Sequence, residues 1–294
     1  MAAEAGGSSR EQATGALYFG KSKPWMAAML PRWAIVTSFL LSSGGASAET
    51  SPVSVDLALV IAVDVSYSVA VNELRVQREG YVAAFRRPEI VEAIRSGPLG
   101  RIAVTYVEWG GAAVQLLSWT LIDDEPSAKR FSEALRLRPI RRISFTSISN
   151  TLAVSRKLLW TSGFNATRRV IDISGDGPNN AGVPAPVARN STVAQGIVIN
   201  GLPIQLRTAP DSASIPDIDA YYEQCVIGGA GAFIVRVSDV SQFPPAILAK
   251  LLAEISGVQV STRRAPSAQA IPVQYKPPYN CFIGEEMQER SIGR

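Results

Sequence analysis

The fold of this chain is decided by residues 57–68, which have the sequence LALVIAVDVSYS. An unbroken apolar run of seven residues, ended by polar ones, is typical of a strand that is buried on both faces of a sheet. Asp64, Ser66 and Ser68 follow at alternate positions, where a tight loop can turn their side chains toward one point. Mg²⁺ requires convergent oxygen ligands of this kind, since it binds few protein groups and keeps several waters. We therefore expect a buried strand that ends in a cation site.

A second apolar strand supplies another carboxylate. Residues 168–174 have the sequence RRVIDIS and run directly into Asp176, which has glycine on both sides. Glycine lets the backbone turn sharply and approach an ion closely. Between the two strands, residues 144–149 place Thr146 just before a helical pattern. The chain thus offers three polar segments that a single sheet edge can bring together.

These segments resemble the von Willebrand factor A domain, whose metal-ion-dependent adhesion site consists of Asp-x-Ser-x-Ser, a loop threonine and an aspartate in a Ser/Thr-Asp-Gly turn. The resemblance covers residues 55–257 and is closest to a bacterial secreted family of unknown function, because of the motifs at 174–180, 196–202 and 225–229. Position by position, it implies the metal ligands Asp64, Ser66, Ser68, Thr146 and Asp176. Gly175 departs from the family pattern, which leaves open whether Asp176 binds the metal directly or through water.

The resemblance also implies what such a site does. Five ligands of this kind leave a position open on the ion, and an acidic group of the partner, a protein supplying a carboxylate or another partner such as a glycan, completes the shell. We expect Mg²⁺, with Mn²⁺ or Ca²⁺ as alternatives, and a partner that also contacts Tyr67, unless that ring packs against the base of the loop. Taken singly, each ligand has another explanation, as a helix cap or a turn residue. All five in the family's order favour the metal site.

Apolar strands alternate with helical patterns along the chain. We predict strands at 55–63, 101–109, 114–119, 168–174, 197–204 and 232–237. The third follows the second closely enough to pair with it as an antiparallel edge hairpin. The pattern predicts an α/β fold, a doubly wound and mostly parallel six-stranded sheet with one antiparallel edge strand and helices on both faces. Asp172 lies inside a predicted strand, and we expect an Arg or backbone amides to pair with it.

The N-terminal residues predict export. Residues 26–48 have the pattern of a signal peptide: a basic residue, a short apolar stretch and then Ala46-Ser47-Ala48. This pattern predicts a periplasmic or secreted protein that is cleaved near Ala48. Residues 1–25 are interpreted as an upstream extension or a disordered segment. The von Willebrand factor A-like domain is expected over 53–260, and a proline-rich tail over 261–294.

Cys225 and Cys281 are the only two cysteines. An exported protein meets oxidising conditions, so a disulfide that ties the tail to the domain is the favoured interpretation. Two buried free thiols are the alternative.

The composition excludes several kinds of function. The chain has no histidine, which removes Ser-His-Asp and Cys-His catalysis and any His-ligated zinc. A net charge of +4 in 294 residues is too small for a nucleic-acid footprint. Three classes remain: a metal-dependent binding module, a structural envelope protein whose metal only stabilises loops, and a Mg²⁺-dependent hydrolase with Asp64 as nucleophile. We expect the first, with no catalytic residues.

Overall fold

The computed structural model describes residues 51–206, 215–257 and 278–293. It contains five strands in this part of the chain: β1 Val53–Asp64, β2 Ile102–Trp109, β3 Ala113–Ile122, β4 Phe164–Gly175 and β5 Val198–Pro203. Their order across the sheet is β3-β2-β1-β4-β5. Only β3 runs antiparallel to its neighbour, so the predicted edge hairpin and the mostly parallel sheet are confirmed.

The helices connect these strands. They are α1 Val71–Ala84, α2 Pro88–Arg95, α3 Glu125–Arg136, α4 Ile148–Trp160, α5 Ala185–Val193, α6 Ile218–Tyr221, α7 Phe243–Ser256 and α8 Ile283–Ile292. A π-helix, Tyr222–Val226, continues α6 without a break. The short helix α2 and the C-terminal helix α8 were not predicted.

The prediction of a sixth strand over 232–237 is wrong. That segment lies beside β5, but only Ile234 and Val237 form bridges, to Gly201 and Ile204. The two bridges do not extend into a regular ladder, because Pro203, which lies between Gly201 and Ile204, has no N–H to donate to this segment. The sheet therefore has five strands within the described residues.

Both faces of the sheet are covered, and β1 shows why its sequence is apolar throughout. Leu57, Leu59 and Ile61 belong to the core packed under α1, α2, α3 and α7. The intervening residues Ala58 and Val60 belong to the core packed under α4, α5 and α6. Alternate side chains of a strand point to opposite faces, so a central strand between two helical layers must be apolar at every position.

Asp172 pairs with a lysine rather than with the expected arginine. Its Oδ1 lies 2.6 Å from Lys250 Nζ on α7, and both side chains are buried. Lys250 also contacts Glu254 one turn further along α7, and Asn200 Nδ2 donates to Glu254 Oε1 at 3.0 Å. These polar contacts attach α7 to β4 and β5.

The predicted disulfide is present between Cys225 and Cys281, whose Cα atoms are 5.5 Å apart. It joins the π-helix to the residues just before α8. Helix α8 lies inside the predicted proline-rich tail, so this part of the tail is helical. The predicted upstream extension and signal peptide lie outside the described residues. Among the described residues, no helix is both long and apolar enough to cross a membrane.

Candidate metal centre

The two candidate carboxylates lie at the same edge of the sheet. Asp64 ends β1, and Asp176 directly follows β4, the parallel neighbour of β1. Val63 pairs with Ser174, so the two strands finish within two residues of each other in register. Loops that leave the carboxyl ends of adjacent parallel strands meet above the sheet, where α/β proteins bind ligands.

Hydrogen bonds join the loop after β1 to the loop after β4. The Ser66 N–H donates to Asp64 Oδ1 at 2.7 Å, which folds the loop back on the carboxylate. The hydroxyl oxygens of Ser66 and Ser68 are 2.8 Å apart, and Ser68 Oγ donates to Asp176 Oδ1 at 2.6 Å. Four of the five predicted ligands are therefore connected in one chain of contacts.

Asp64 lies in an unfavourable environment for a charge. The residue is 0% exposed, and its Oδ2 accepts no hydrogen bond from the described residues. Burial raises the pKa of the Asp64 carboxyl well above its ordinary value, and the Asp176 carboxylate raises it further. The nearby donor groups of Ser66 and of the Asp176 backbone lower this pKa by less. A buried carboxylate with an unused oxygen calls for a cation or a proton.

Gly175 is required by close packing beneath this carboxylate. A Cβ atom at position 175 would lie 2.8 Å from Asp64 Oδ2 and 2.7 Å from the hydroxyl oxygen of Tyr222. Both distances are shorter than ordinary contacts. The departure from the family pattern at Gly175 thus has a local cause, which is the approach of Tyr222, on the π-helix, to Asp64.

Thr146 belongs to a third loop that is attached to the other two. Its N–H donates to Asn180 Oδ1 at 2.9 Å, and the Asn180 N–H donates to the Thr146 carbonyl at 2.8 Å. Further back in the loop, the Ile143 N–H donates to the Val65 carbonyl at 3.0 Å. The backbone of this loop is thus fixed to both carboxylate loops, and Thr146 is 3% exposed.

The alternative explanations of these residues as helix caps do not hold. The N-cap residue of α1 is Ala70, whose N–H donates to Glu73 Oε2 at 3.1 Å. The N-cap residue of α4 is Ser147, whose side chain accepts from the Asn150 N–H. Neither Asp64 nor Thr146 caps a helix.

The C-terminal helix supports the site, which the sequence analysis did not anticipate. Asn179 Nδ2 donates to Glu285 Oε1 on α8 at 2.8 Å, and the Asn179 N–H donates to the Tyr221 hydroxyl at 3.0 Å. Asn179 Oδ1 in turn accepts from the Ser149 N–H at the start of α4. Because the disulfide joins the two supporting helices, the cysteine pair was the available signal for this contact.

Tyr67 is exposed at the rim of the site. Its side chain is 60% exposed, so it does not pack against the base of the loop. The guanidinium carbon of Arg142 lies 4.5 Å from the ring centroid, and Arg142 also donates to the carbonyls of Tyr67 and Val69. Arg142 thereby fixes the outer part of the β1–α1 loop.

The donor set fits a hard cation. Carboxylate and hydroxyl oxygens suit Mg²⁺, Mn²⁺ or Ca²⁺, whereas softer metals prefer nitrogen and sulfur ligands. Within residues 51–206, 215–257 and 278–293, no group of three or more His, Cys, Asp or Glu side chains is placed to hold a metal. A site here therefore relies on two carboxylates supplemented by hydroxyl groups.

The fold is similar to solved structures of von Willebrand factor A type. Two structures of proximal thread matrix protein 1 from the mussel byssus, each 12% identical, give TM-scores of 0.53 and 0.50 and cover 69% of this chain and 49% of theirs. The second of them has a MIDAS motif (the metal-ion-dependent adhesion site) occupied by zinc. A von Willebrand factor type A protein from Catenulispora acidiphila, 12% identical, gives 0.49 and covers 68% of this chain and 43% of its own. At these identities the likeness is one of fold, and this chain spans about half the length of the byssus protein chains.

A comparison with curated proteins found no match. The family model described as Protein of unknown function (DUF1194) matches residues 54–259, which is most of the chain, and the chain belongs to that family.

Proposed function

We propose that this protein is an exported binding module that holds a divalent cation, with Mg²⁺ as the first candidate, and recognises an acidic partner through it. Asp64, Ser66, Ser68, Thr146 and Asp176 are the proposed ligands. The observation that carries the proposal is the buried Asp64 Oδ2, which has no hydrogen-bond partner among the described residues. The loop that follows Asp64 is hydrogen-bonded to the loops that carry Asp176 and Thr146. A cation there offsets the repulsion between Asp64 and Asp176.

The bound ion supplies a positive charge with an exchangeable position for a carboxylate of a protein partner. The chain's own residues hold and orient it. Ser66 and Ser68 bridge the two carboxylates, and the hydrogen bonds between Thr146 and Asn180 fix the third loop. Asp64 is too deeply buried to meet a substrate, so binding is favoured over hydrolysis. The disulfide supports a periplasmic or secreted location.

Isothermal titration of Mg²⁺, Mn²⁺ and Ca²⁺ into chelator-treated protein tests the proposal. We expect saturable binding with one ion per chain, and its loss in Asp64→Ala. Asp123→Ala, which removes an exposed carboxylate before α3, is the matched control and should bind as the unchanged protein does. Equal binding by unchanged protein and Asp64→Ala would contradict the assignment of this site.

A further inference from the structure

Two large aromatic side chains stand exposed beside the proposed ligands. Tyr67 lies between Ser66 and Ser68, and Phe145 directly precedes Thr146, with a side chain that is 57% exposed. Exposed aromatic residues are a common feature of recognition surfaces, where a few such side chains supply much of the binding energy.

Tyr67 and Phe145 lie on neighbouring backbone segments at this edge of the sheet. Ser66 and Ile143 form a parallel bridge, and the Ile143 N–H donates to the Val65 carbonyl. Paired strands are about 4.8 Å apart. Because the bridge is parallel, the two segments leave it in the same direction. Tyr67 comes one residue after Ser66, and Phe145 comes two residues after Ile143.

Phe145 is held in a costly conformation. Its φ of 64° makes it the only non-glycine residue with a positive φ in the part of the chain that the structure describes. This conformation is a genuine outlier for a bulky side chain and costs about 1–3 kcal/mol, and such strain is concentrated at ligand-binding positions. Because more than half of the side chain is exposed, burial of the ring compensates little of that cost.

The rim is also positively charged. Arg141 and Arg142 are both exposed, and Arg142 stacks on the Tyr67 ring while it holds the loop carbonyls. Together with a bound cation, this charge is complementary to more than one acidic group. Arg142 also restrains Tyr67, which lowers the entropy lost when a partner binds.

We propose that Tyr67, Phe145 and the Arg141–Arg142 pair recognise an acidic protein segment, in which the metal-bound carboxylate is accompanied by an apolar side chain and a second acidic residue. This inference rests on the proposed function, because the metal holds the first carboxylate. A protein segment is favoured over an acidic glycan because it can carry an apolar side chain beside its carboxylates, and that side chain removes the exposed apolar Phe145 ring from water. The apolar side chain packs on Tyr67 and Phe145, and the second acidic residue lies near the arginines.

Selection from a displayed library of random dodecapeptides, with Mg²⁺ and with EDTA, tests the inference. We expect Mg²⁺-dependent enrichment of peptides that combine two acidic residues with an aromatic or large aliphatic one. The enriched peptides, made synthetically, should bind Tyr67→Ser and Phe145→Ser at least about tenfold more weakly, the loss typical of a central aromatic contact. Arg141→Gln should weaken binding less and reduce its salt dependence, whereas Mg²⁺ affinity should be unchanged in all three variants.

Trp160→Ala is the matched control. Trp160 is also exposed and stacked with an arginine, Arg169 at 4.4 Å, but it lies at the opposite end of α4 from the site. The variant should bind the peptides normally. Peptides that need Mg²⁺ but show no apolar residue, or that bind Phe145→Ser as well as unchanged protein, would overturn this inference and leave the metal site standing. Saturable Mg²⁺ binding without any enriched peptide, or with binding of acidic glycans instead, would also overturn it. Absence of Mg²⁺ binding would refute the proposed function itself.

Discussion

The side chains of Ser68 and Asp176, which are 108 residues apart in the sequence, meet in a hydrogen bond of 2.6 Å from Oγ to Oδ1. This contact closes the site, because it joins the loop after β1 to the loop after β4. It also brings the charge of Asp176 close to the buried Asp64, whose pKa is raised by burial and then by that neighbour. Ion-free protein must therefore either protonate Asp64 or hold two carboxylates together without a compensating cation, which has measurable consequences.

Asp64→Asn should stabilise the ion-free protein and abolish its response to metal. The amide is nearly isosteric and removes a buried charge whose second oxygen has no donor within the described residues. We expect a higher free energy of unfolding in EDTA, because the neutral amide removes the cost of burying a charge and the repulsion from Asp176. Chemical denaturation with EDTA and with Mg²⁺ measures both effects. Stabilisation of Asp64→Asn by Mg²⁺ to the same extent as unchanged protein would show that the ion binds elsewhere.

Gly175→Ala should weaken both the fold and the metal site. The added Cβ meets Asp64 Oδ2 at 2.8 Å and the Tyr222 hydroxyl at 2.7 Å, so one of them must move. Overpacking of this kind costs about 1–3 kcal/mol. The double variant Gly175→Ala with Tyr222→Phe should recover part of the stability, because it removes the hydroxyl that the new methyl group meets. Thermal unfolding of the two single variants and the double variant measures this coupling. Additive effects would mean that Tyr222 is not the obstacle.

The comparison of sequence and fold explains why some features were predictable and others were not. The apolar run of β1 and the polar residues that follow it carry a local signal, and they predicted the central strand. The segment 232–237 has the composition of a strand, but Pro203 on the neighbouring segment has no N–H to pair with it, and the composition of 232–237 itself does not reveal that neighbour. Likewise, Asn179 and Glu285, which are hydrogen-bonded in the structure, are 106 residues apart in the sequence. Local patterns therefore predicted the candidate ligands and missed the groups that hold them in place.

Breaking the disulfide should lower stability and Mg²⁺ affinity together. Cys225 and Cys281 are 56 residues apart, and the chain-entropy model gives a loss of about 4 kcal/mol for a loop of this length. Metal affinity should fall as well, because α8 and the residues around Tyr221 both contact Asn179 in the second carboxylate loop. Denaturation and titration of Cys225→Ser/Cys281→Ser measure the two quantities.

Gly284→Ala separates the two effects. Its Cβ would lie 1.9 Å from the Asn179 carbonyl oxygen, so it displaces α8 while the disulfide stays intact. Gly293→Ala, at the end of the same helix, meets only the Glu289 carbonyl at 3.5 Å and is the control. Normal Mg²⁺ affinity in Gly284→Ala would mean that α8 does not support the site.

Stability should also depend on pH near neutrality through Glu254. Burial, and then the neighbouring Asp172, raise the pKa of Glu254 to about 7, although Lys250 and Asn200 act in the opposite direction. A carboxyl with a raised folded-state pKa contributes stability that is complete below its unfolded pKa and is lost as the pH rises through the folded value. The contribution of Glu254 to the free energy of unfolding should therefore decline between about pH 4.5 and 7, by up to about 3 kcal/mol. Burial also raises the pKa values of Asp64 and Glu108, which add slopes of the same sign. Glu254→Gln should therefore reduce the slope of the unfolding free energy in this range without abolishing it, whereas exposed Glu289→Gln should leave it unchanged. A profile that keeps its slope in Glu254→Gln would place the titrating group elsewhere.

Phe145→Gly should raise stability while it removes partner binding. Glycine adopts a φ of 64° without steric cost, so the substitution relieves a backbone strain of about 1–3 kcal/mol. The greater entropy of glycine in the unfolded chain returns roughly 0.5–1 kcal/mol of that gain. We expect a net stabilisation of about 1 kcal/mol in denaturant titrations, with Mg²⁺ affinity unchanged, because the Thr146 backbone keeps its bonds to Asn180. Phe145→Ala, which keeps the strain and removes the ring, is the matched control and should show no such gain. If both variants are equally destabilised, the ring contributes to the fold, and the positive φ of Phe145 is then explained by packing rather than by recognition.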